Sequence, residues 1–198
     1  PALGIPASGG LTSYLRATPT IMLAGAMYGF IDVTVLALFP VYALRSGLEE
    51  GAIARLIAMA VLGSIAFQFA IGWLCDRVPP YRVLVGCTLG ALGCALALPF
   101  TIGTTALVLI VLVLWGGAMG GFFTVGMVLM GQRYTGADLI GANGMFVVMF
   151  GLGSMVGPAA GGAAMDLWDT HGMVAVVALV CAAYLMALRF ARSRRSLP

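Results

Sequence analysis

Charge is scarce in this sequence of 198 residues. Only 9% of the residues are charged, whereas 62% are hydrophobic; a soluble domain is close to half apolar and a quarter charged. A soluble fold of this length would have to expose much of that apolar surface to water. The composition therefore excludes a soluble globular protein and predicts an integral membrane protein.

Patterns for metal binding and catalysis are also missing. The sequence has one histidine, and its four cysteines form no CxxC pair. These counts exclude a haem held by two histidines and argue against a zinc site or a disulfide framework. The Walker A loop and the HExxH zinc motif do not occur. We therefore predict a protein that is not an enzyme and that has no cofactor and no metal.

Six apolar segments each approach the length of about 20 residues that a helix needs to cross the hydrocarbon core. The short breaks between them carry the charges, glycines and prolines expected of turns. We therefore predict an all-α polytopic membrane protein with six transmembrane helices. The predicted spans are about residues 19–43, 53–74, 81–100, 104–130, 139–165 and 172–188. Residues 1–18 are interpreted as a cytoplasmic linker, 19–190 as the transmembrane unit and 191–198 as a basic cytoplasmic tail.

All ten basic residues are arginines, and their distribution predicts the orientation. Cytoplasmic loops carry an excess of Lys and Arg. With the N-terminus inside, all the arginines except Arg45 and Arg55 lie on the cytoplasmic side. We therefore expect both termini in the cytoplasm. Nucleic acid is not an expected partner, because it needs a concentrated basic face.

A charged motif follows the second span. Gly72 is followed, after three residues, by Asp76 and Arg77, and then by Pro79 and Arg82. This stretch resembles the cytoplasmic signature of the major facilitator superfamily. In that signature, Gly, three residues, an acid and a base precede a second Gly and a basic run. Here Pro79 replaces the second Gly, and Arg82 alone represents the basic run.

The fifth span contains a motif of glycines around one proline. Its residues are Gly144, Gly153, Gly157, Pro158, Gly161 and Gly162. The spacing resembles the glycine–proline motif of the same superfamily, which is often linked to antiporters. Pro158 removes a backbone hydrogen bond, and the glycines around it keep the helix slender and bendable.

The first span, from Gly25 to Arg45, also resembles the seventh helix of bacterial drug-efflux-like members. Together these resemblances imply the C-terminal six-helix half of a twelve-helix transporter in the inner membrane of a bacterium. Such proteins build their pathway between two halves. The implied function is secondary transport of a small organic solute by alternating access, with proton coupling as an option. Expected partners are membrane lipid, the solute, and a second six-helix half, a second copy or other membrane subunits.

A different function stays open at this point. A six-helix relative of these transporters would also serve as a non-transporting structural or assembly subunit of a larger membrane complex. The replacement of the signature glycine by Pro79 mildly favours that alternative.

One acidic residue lies inside an apolar span. Asp32 is about twelve positions into the first span, or about 18 Å along a helix, which is near the middle of the bilayer. A charge at that depth is costly and is expected to face the bundle interior or a wet cavity. We interpret Asp32 as a proton-coupling or cation-recognition site. The alternative is a neutral carboxyl group that is hydrogen-bonded to a neighbouring helix.

Four further residues are candidates for the same site. Helical spacing places Tyr28 and Phe39 on the Asp32 face, where aromatic rings would suit an amphiphilic cation. Ordinary aromatic packing in the core is the alternative. Gln68 in the second span and Asn143 in the fifth are candidates for lining a cavity or for an interhelical hydrogen bond.

The charged residues at the predicted cytoplasmic side form a candidate gate. It consists of Gly72, Asp76, Arg77 and Arg82, together with Arg133 after the fourth span. An acid near a helix N-terminus of an opposing half is stabilised there and is released when the halves rock. Ordinary positive-inside topology is the alternative explanation.

Overall fold

Seven helices and no strand make up the part of the chain that the structure describes, residues 12–195, with side chains up to residue 191. The structure is a computed structural model. The start of the predicted linker (1–11), the end of the basic tail (196–198) and the tail's arginine side chains lie outside the described residues. The helices are α1 (Thr12–Ala17), α2 (Pro19–Arg45), α3 (Glu50–Arg77), α4 (Pro80–Thr101), α5 (Thr105–Gly131), α6 (Gly136–Trp168) and α7 (Thr170–Arg195).

The helices α2 to α7 are long and apolar enough to cross a membrane. This confirms the predicted all-α polytopic membrane fold. The longest helix, α6, has 33 residues and extends past both ends of the span predicted at 139–165. The helix α1 falls within the predicted linker and was not predicted from the sequence.

Local sequence explains where several helices begin. Pro19 opens α2 and Pro80 opens α4, because proline at the first position needs no hydrogen-bond donor and has a helical φ angle. The first residue of α6, Gly136, has a φ of 57°, and the turn after α2 contains Gly47 with a φ of 86°. Glycine adopts this left-handed conformation without steric cost.

The chain alternates in direction through the bundle. The helices α2, α4 and α6 begin, and α3, α5 and α7 end, at one end of the bundle, which we call the terminal face; the other end is the distal face. Contacts at the terminal face support this arrangement. The Tyr184 hydroxyl of α7 donates to the Thr20 carbonyl of α2 at 3.0 Å, and the Tyr81 hydroxyl of α4 donates to the Leu188 carbonyl of α7.

Two helix pairs form the most extensive contacts, α2 with α6 and α3 with α5. Glycines make both crossings close. A Cβ atom added to Gly153 of α6 would overlap the Ala26 carbonyl of α2, and one added to Gly116 of α5 would overlap the Ala60 carbonyl of α3. Such close backbone approach drives helix association in lipid, where hydrophobic burial contributes little.

Candidate functional site

Asp32 lies half-buried in the middle of α2. Nearby hydroxyl groups bond within their own helices: Thr34 donates to the Phe30 carbonyl, and Ser154 of α6 donates to the Phe150 carbonyl at 2.9 Å. Within residues 12–191, whose side chains the structure describes, no hydrogen bond or ion pair reaches the Asp32 carboxyl group. The Asp32 carboxyl group therefore has no hydrogen-bond or ion-pair partner among residues 12–191.

Aromatic rings from three helices meet one turn away from Asp32. The ring of Tyr28 lies 5.0 Å from that of Phe150 in α6 and 6.3 Å from that of Phe123 in α5. Phe123 also contacts the ring of Phe146 at 6.4 Å and is 41% exposed. We call Tyr28, Phe123 and Phe150 the aromatic cluster. Phe123 and Phe150 were not predicted as site residues from the sequence, because only the packing of α5 and α6 brings them close to α2.

Phe39 lies away from the aromatic cluster, in the core. Its side chain is 1% exposed and stacks on Tyr42, with 6.3 Å between ring centroids. It also lines a small apolar gap beside Ile57 of α3 and Trp115 of α5. This placement agrees with the alternative stated for it, aromatic packing in the core.

Gln68 and Asn143 are both half-buried, on α3 and α6 respectively. Gln68 lies against α5, since its Cγ atom would stand 3.2 Å from a Cβ added to Gly120. Asn143 lies in the first third of α6, towards the terminal face. In the described part of the chain, neither side chain is hydrogen-bonded to Asp32.

The candidate gate residues lie at the terminal face. Asp76 and Arg77 are exposed at the end of α3, Arg82 is exposed at the start of α4, and Arg133 is half-buried before α6. The Arg77 guanidinium carbon lies 3.9 Å from the ring centroid of Trp73, a cation–π contact. Among residues with described side chains, none of these charges forms an ion pair.

A polar cluster at the terminal face was not predicted. The Tyr14 hydroxyl of α1 donates to Asp138 Oδ1 at 3.3 Å, and the hydroxyls of Thr18 and Tyr134 are 3.0 Å apart. The rings of Tyr14 and Tyr134 meet edge-on at 5.6 Å. We call these four residues the terminal cluster. Burial and, to a smaller extent, the Asp138 carboxylate raise the pKa of Tyr14.

The glycine–proline motif divides into packed and open positions. Gly153, Gly157 and Gly161 face α2, and a Cβ atom on any of them would meet α2 atoms. Gly144 and Gly162 have no atom within 4 Å of an added Cβ, and the same is true of Gly72 in the signature of α3. The helix α6 continues through Pro158 without a break. Pro158 has no N–H, so the Ser154 carbonyl lacks its usual donor.

Comparison with known proteins agrees with this architecture. The model of the Major Facilitator Superfamily matches residues 5–198. The uncharacterised MFS-type transporter YfkF of Bacillus subtilis (strain 168) is 32% identical over 166 residues, which cover 81% of this chain and 41% of that protein. The chain therefore spans less than half the length of the relative that it matches.

Proposed function

Because the chain belongs to the Major Facilitator Superfamily, we propose that it forms one six-helix half of a secondary transporter, which moves a small organic solute by alternating access. The resemblance that the sequence motifs carried is confirmed by these comparisons. Membership in a transporter family also agrees with the expectation of a protein that is not an enzyme. The proposed location is the bacterial inner membrane, with both termini in the cytoplasm.

The observation that carries the proposal is the position of Asp32. It is half-buried in the middle of a membrane-crossing helix, and no described side chain neutralises it. Ionisable residues at such depth are rare, and they usually face ion or solute pathways. Leu36, one turn further along α2, is 37% exposed, so this side of α2 is not fully covered by the other helices. We place the pathway on this side.

The aromatic cluster supplies the apolar part of the proposed site. An acid one turn from the rings of Tyr28, Phe123 and Phe150 suits a solute that combines an apolar body with a polar or cationic group. In this proposal Asp32 exchanges its proton for the solute. Gln68 and Asn143 are proposed to line the pathway towards the terminal face.

The pathway needs a second wall, because transporters of this kind place their binding site between two repeats. We propose that a second six-helix half, a second copy or other membrane subunits supply it. Asp76, Arg77, Arg82 and Arg133 would then contact the partner at the terminal face and close the pathway on that side. Their exposure and their lack of ion pairs among the described residues support this role.

The α2–α6 crossing is the proposed moving element. Gly153, Gly157 and Gly161 hold α6 against α2, and Pro158 leaves one carbonyl in α6 without its donor. A helix that lacks one backbone bond bends there at a lower energetic cost. The open positions Gly144 and Gly162 allow that bend without a steric clash.

The test uses the full-length protein in everted membrane vesicles with a proton gradient across the membrane. A panel of organic cations and neutral solutes is added, and dissipation of the gradient is recorded with a pH-sensitive dye. We expect at least one solute to dissipate the gradient with wild-type protein. Asp32→Asn should abolish this signal, because the side chain no longer exchanges a proton.

The matched control is Asp166→Asn, which removes an exposed acid near the distal end of α6. This variant should keep wild-type flux. Unchanged proton-linked flux in Asp32→Asn would remove Asp32 from the coupling role. If no solute is moved and the protein instead purifies within a larger membrane complex, the alternative of an assembly subunit is favoured.

A further inference from the structure

The short helix α1 has no role in the transport cycle proposed above. It has six residues, fewer than an isolated helix needs to be stable in water, so its structure depends on the helices that it packs against. In the described part of the chain, α1 contacts α2 and α6 and no other helix. Thr12 and Arg16, on its outer side, are exposed. Contacts on one side therefore hold α1 in place, and its other side is open.

Tyr14 of α1 docks in a notch on α6. Gly141 forms the floor of this notch, because a Cβ atom added there would stand 2.5 Å from the Tyr14 hydroxyl oxygen and 2.7 Å from Cζ of its ring. The hydroxyl donates to Oδ1 of Asp138, in the preceding turn of α6, at 3.3 Å. Tyr14 is 7% exposed in this position. A side chain at residue 141 would therefore displace the ring.

A second contact anchors the end of α1 that adjoins α2. The hydroxyls of Thr18 and Tyr134 are 3.0 Å apart, and the two residues are 1% and 4% exposed. The Thr18 carbonyl also accepts hydrogen bonds from the backbone N–H groups of Ile21 and Met22 in the first turn of α2. Thr18 is therefore fixed to the start of α2, and α1 is free to turn about it.

The two contacts differ in strength. The Tyr14–Asp138 distance of 3.3 Å exceeds the roughly 2.7–2.8 Å typical of O–H···O hydrogen bonds. Asp138 is half-buried, so water can replace Tyr14 as its donor. The Thr18 and Tyr134 hydroxyls are buried, and separating them would leave buried polar groups unpaired. Segments with few buried contacts open at a lower free energy than the bundle does, so Tyr14 should leave its notch while the Thr18 contact stays closed.

We propose that α1 is a releasable strap, which is docked on α6 in this structure and turns away about Thr18 during transport. This inference rests on the proposed function, in which α6 bends at Pro158. Asp138 and Gly141 both lie on the part of α6 that precedes Pro158. A movement of that part by about 1 Å would break the hydrogen bond from Tyr14. Docked α1 therefore holds this part of α6 in one state of the cycle, and release allows it to move.

Hydrogen exchange of the full-length protein in detergent tests docking and release without any solute. The probes are the amides of Arg16, Ala17 and Thr18, the last of which donates to the Tyr14 carbonyl at 3.0 Å. In wild type they should exchange at least about tenfold more slowly than in an unstructured peptide, and at least about tenfold faster than amides in the middle of α2. Gly141→Ala places a methyl group against the Tyr14 ring and should speed the exchange of α1 about tenfold.

The matched control is Gly151→Ala, the same change in the same helix, where an added Cβ atom meets no atom within 4 Å. It should leave the exchange of α1 as in wild type. Equal exchange of α1 in Gly141→Ala and wild type would overturn the docking of Tyr14, as would wild-type exchange at the rate of an unstructured peptide. Exchange of α1 as slow as that of α2 would overturn the release, and so would a variant Gly141→Ala that speeds exchange in α3 as much as in α1.

A reversible cross-link tests release during transport. Tyr14→Cys and Asp138→Cys are combined and joined by a short bifunctional thiol reagent with a reducible bond; the four native cysteines are buried. In the vesicle assay described above, the cross-link should abolish proton-linked flux, because α1 cannot leave α6. Reduction of the cross-link should restore flux. Tyr14→Cys alone, treated with the same reagent, is the control and should keep its flux.

The two measurements distinguish failure of this proposal from failure of the proposed function. If wild-type protein moves no solute, the proposed function fails, and the exchange rates decide whether α1 docks and opens. If wild type transports and the cross-linked pair transports equally well, release of α1 is not a step of the cycle and this proposal fails alone. A reduced pair without flux would also contradict it, because transport is expected to proceed with α1 released.

Discussion

The two closest helix pairs use the same packing device but are held differently. Glycines bring α2 against α6 and α3 against α5. The α2–α6 pair has additional polar contacts near both ends. The terminal cluster joins α1, which precedes α2, to the start of α6, and Arg45 pairs with Asp169 at 3.0 Å on the distal face. In the described part of the chain, no side-chain hydrogen bond or ion pair joins α3 to α5.

In the proposed transport cycle, the α2–α6 pair moves and the α3–α5 pair supports it. Asp32 and Pro158 both belong to the α2–α6 pair, and α3 and α5 contain no proline. A pair that is tied near its ends and packed in the middle keeps its two helices in register when one of them bends. The α3–α5 pair depends on packing alone, so we expect it to behave as a static wall.

The largest effect should come from blocking either crossing. Gly116→Ala in α5 and Gly153→Ala in α6 each place a methyl group against a backbone carbonyl, which cannot rotate away. We expect each variant to lose at least the roughly 1–3 kcal/mol typical of overpacking. The measurement is unfolding of the purified protein in mixed detergent micelles.

The control for these variants is Gly93→Ala in α4, where an added methyl group meets no atom within 4 Å. This change should be neutral or should stabilise the helix by up to about 1 kcal/mol. If Gly116→Ala or Gly153→Ala has the same unfolding free energy as Gly93→Ala, the two helices at that crossing are further apart than described here.

The second-largest effect should come from Pro158, which lies in the α2–α6 pair and has no counterpart in the α3–α5 pair. Pro158→Ala returns an N–H to α6 opposite the Ser154 carbonyl. We expect the unfolding free energy to rise by about 0.5–1.5 kcal/mol, the net value of one hydrogen bond. Flux should fall, because the helix bends less readily. Pro99→Ala, near the distal end of α4, is the matched control and should leave flux unchanged. Unaltered flux in Pro158→Ala would contradict the proposal that α6 bends at Pro158 during transport.

Long apolar runs made the six membrane helices predictable, since a run of that length has few other stable states. The spacing of Gly153, Gly157 and Gly161 predicted a close-packed face but not its partner, because spacing carries no information about which helix lies opposite. Asp32 was predictable as an isolated charge in an apolar run. The contact of Tyr14 with Asp138 was not, since 124 residues separate them and no local periodicity connects them.

The third-largest effect should come from the hydrogen bond between Tyr14 and Asp138 at the start of α6. Tyr14→Phe removes the hydrogen bond to Asp138 and should lower stability by less than the glycine variants do. The pKa of Tyr14 is raised above its usual value of 10.0, so the folded protein holds this proton more strongly than the unfolded chain does. That contribution is complete below pH 10 and is lost as the pH rises through the folded-state pKa.

Unfolding measured as a function of pH checks this prediction. Between neutral pH and alkaline pH, Tyr14→Phe should lose less stability than wild type. An equally steep alkaline loss in the variant would show that another group titrates. Asp138→Asn, which keeps an acceptor for the Tyr14 hydroxyl but removes the charge, should also flatten the alkaline decline.

The smallest effect should come from the Arg45–Asp169 ion pair at the distal face. The side chains of Arg45 and Asp169 are 43% and 72% exposed, so water and salt screen their attraction. Arg45→Gln should cost no more than about 0.5 kcal/mol, and wild type should approach the variant at about 1 M salt. If Arg45→Gln loses as much unfolding free energy as a glycine variant does, this ion pair is one of the main contacts that hold α2 and α6 together.

The length of α6 gives its crossing with α2 a mechanical consequence. The helix has 33 residues and is about 50 Å long, against a hydrocarbon core of about 30 Å. Gly157, at the centre of the crossing, divides it into arms of about 32 Å towards Gly136 and about 17 Å towards Trp168. A rotation of about 5° about that point moves the two ends by about 3 Å and about 1.5 Å. In the proposed transport cycle the crossing would therefore act as an off-centre pivot, and the end of α6 that carries Asp138 would move further than the other end.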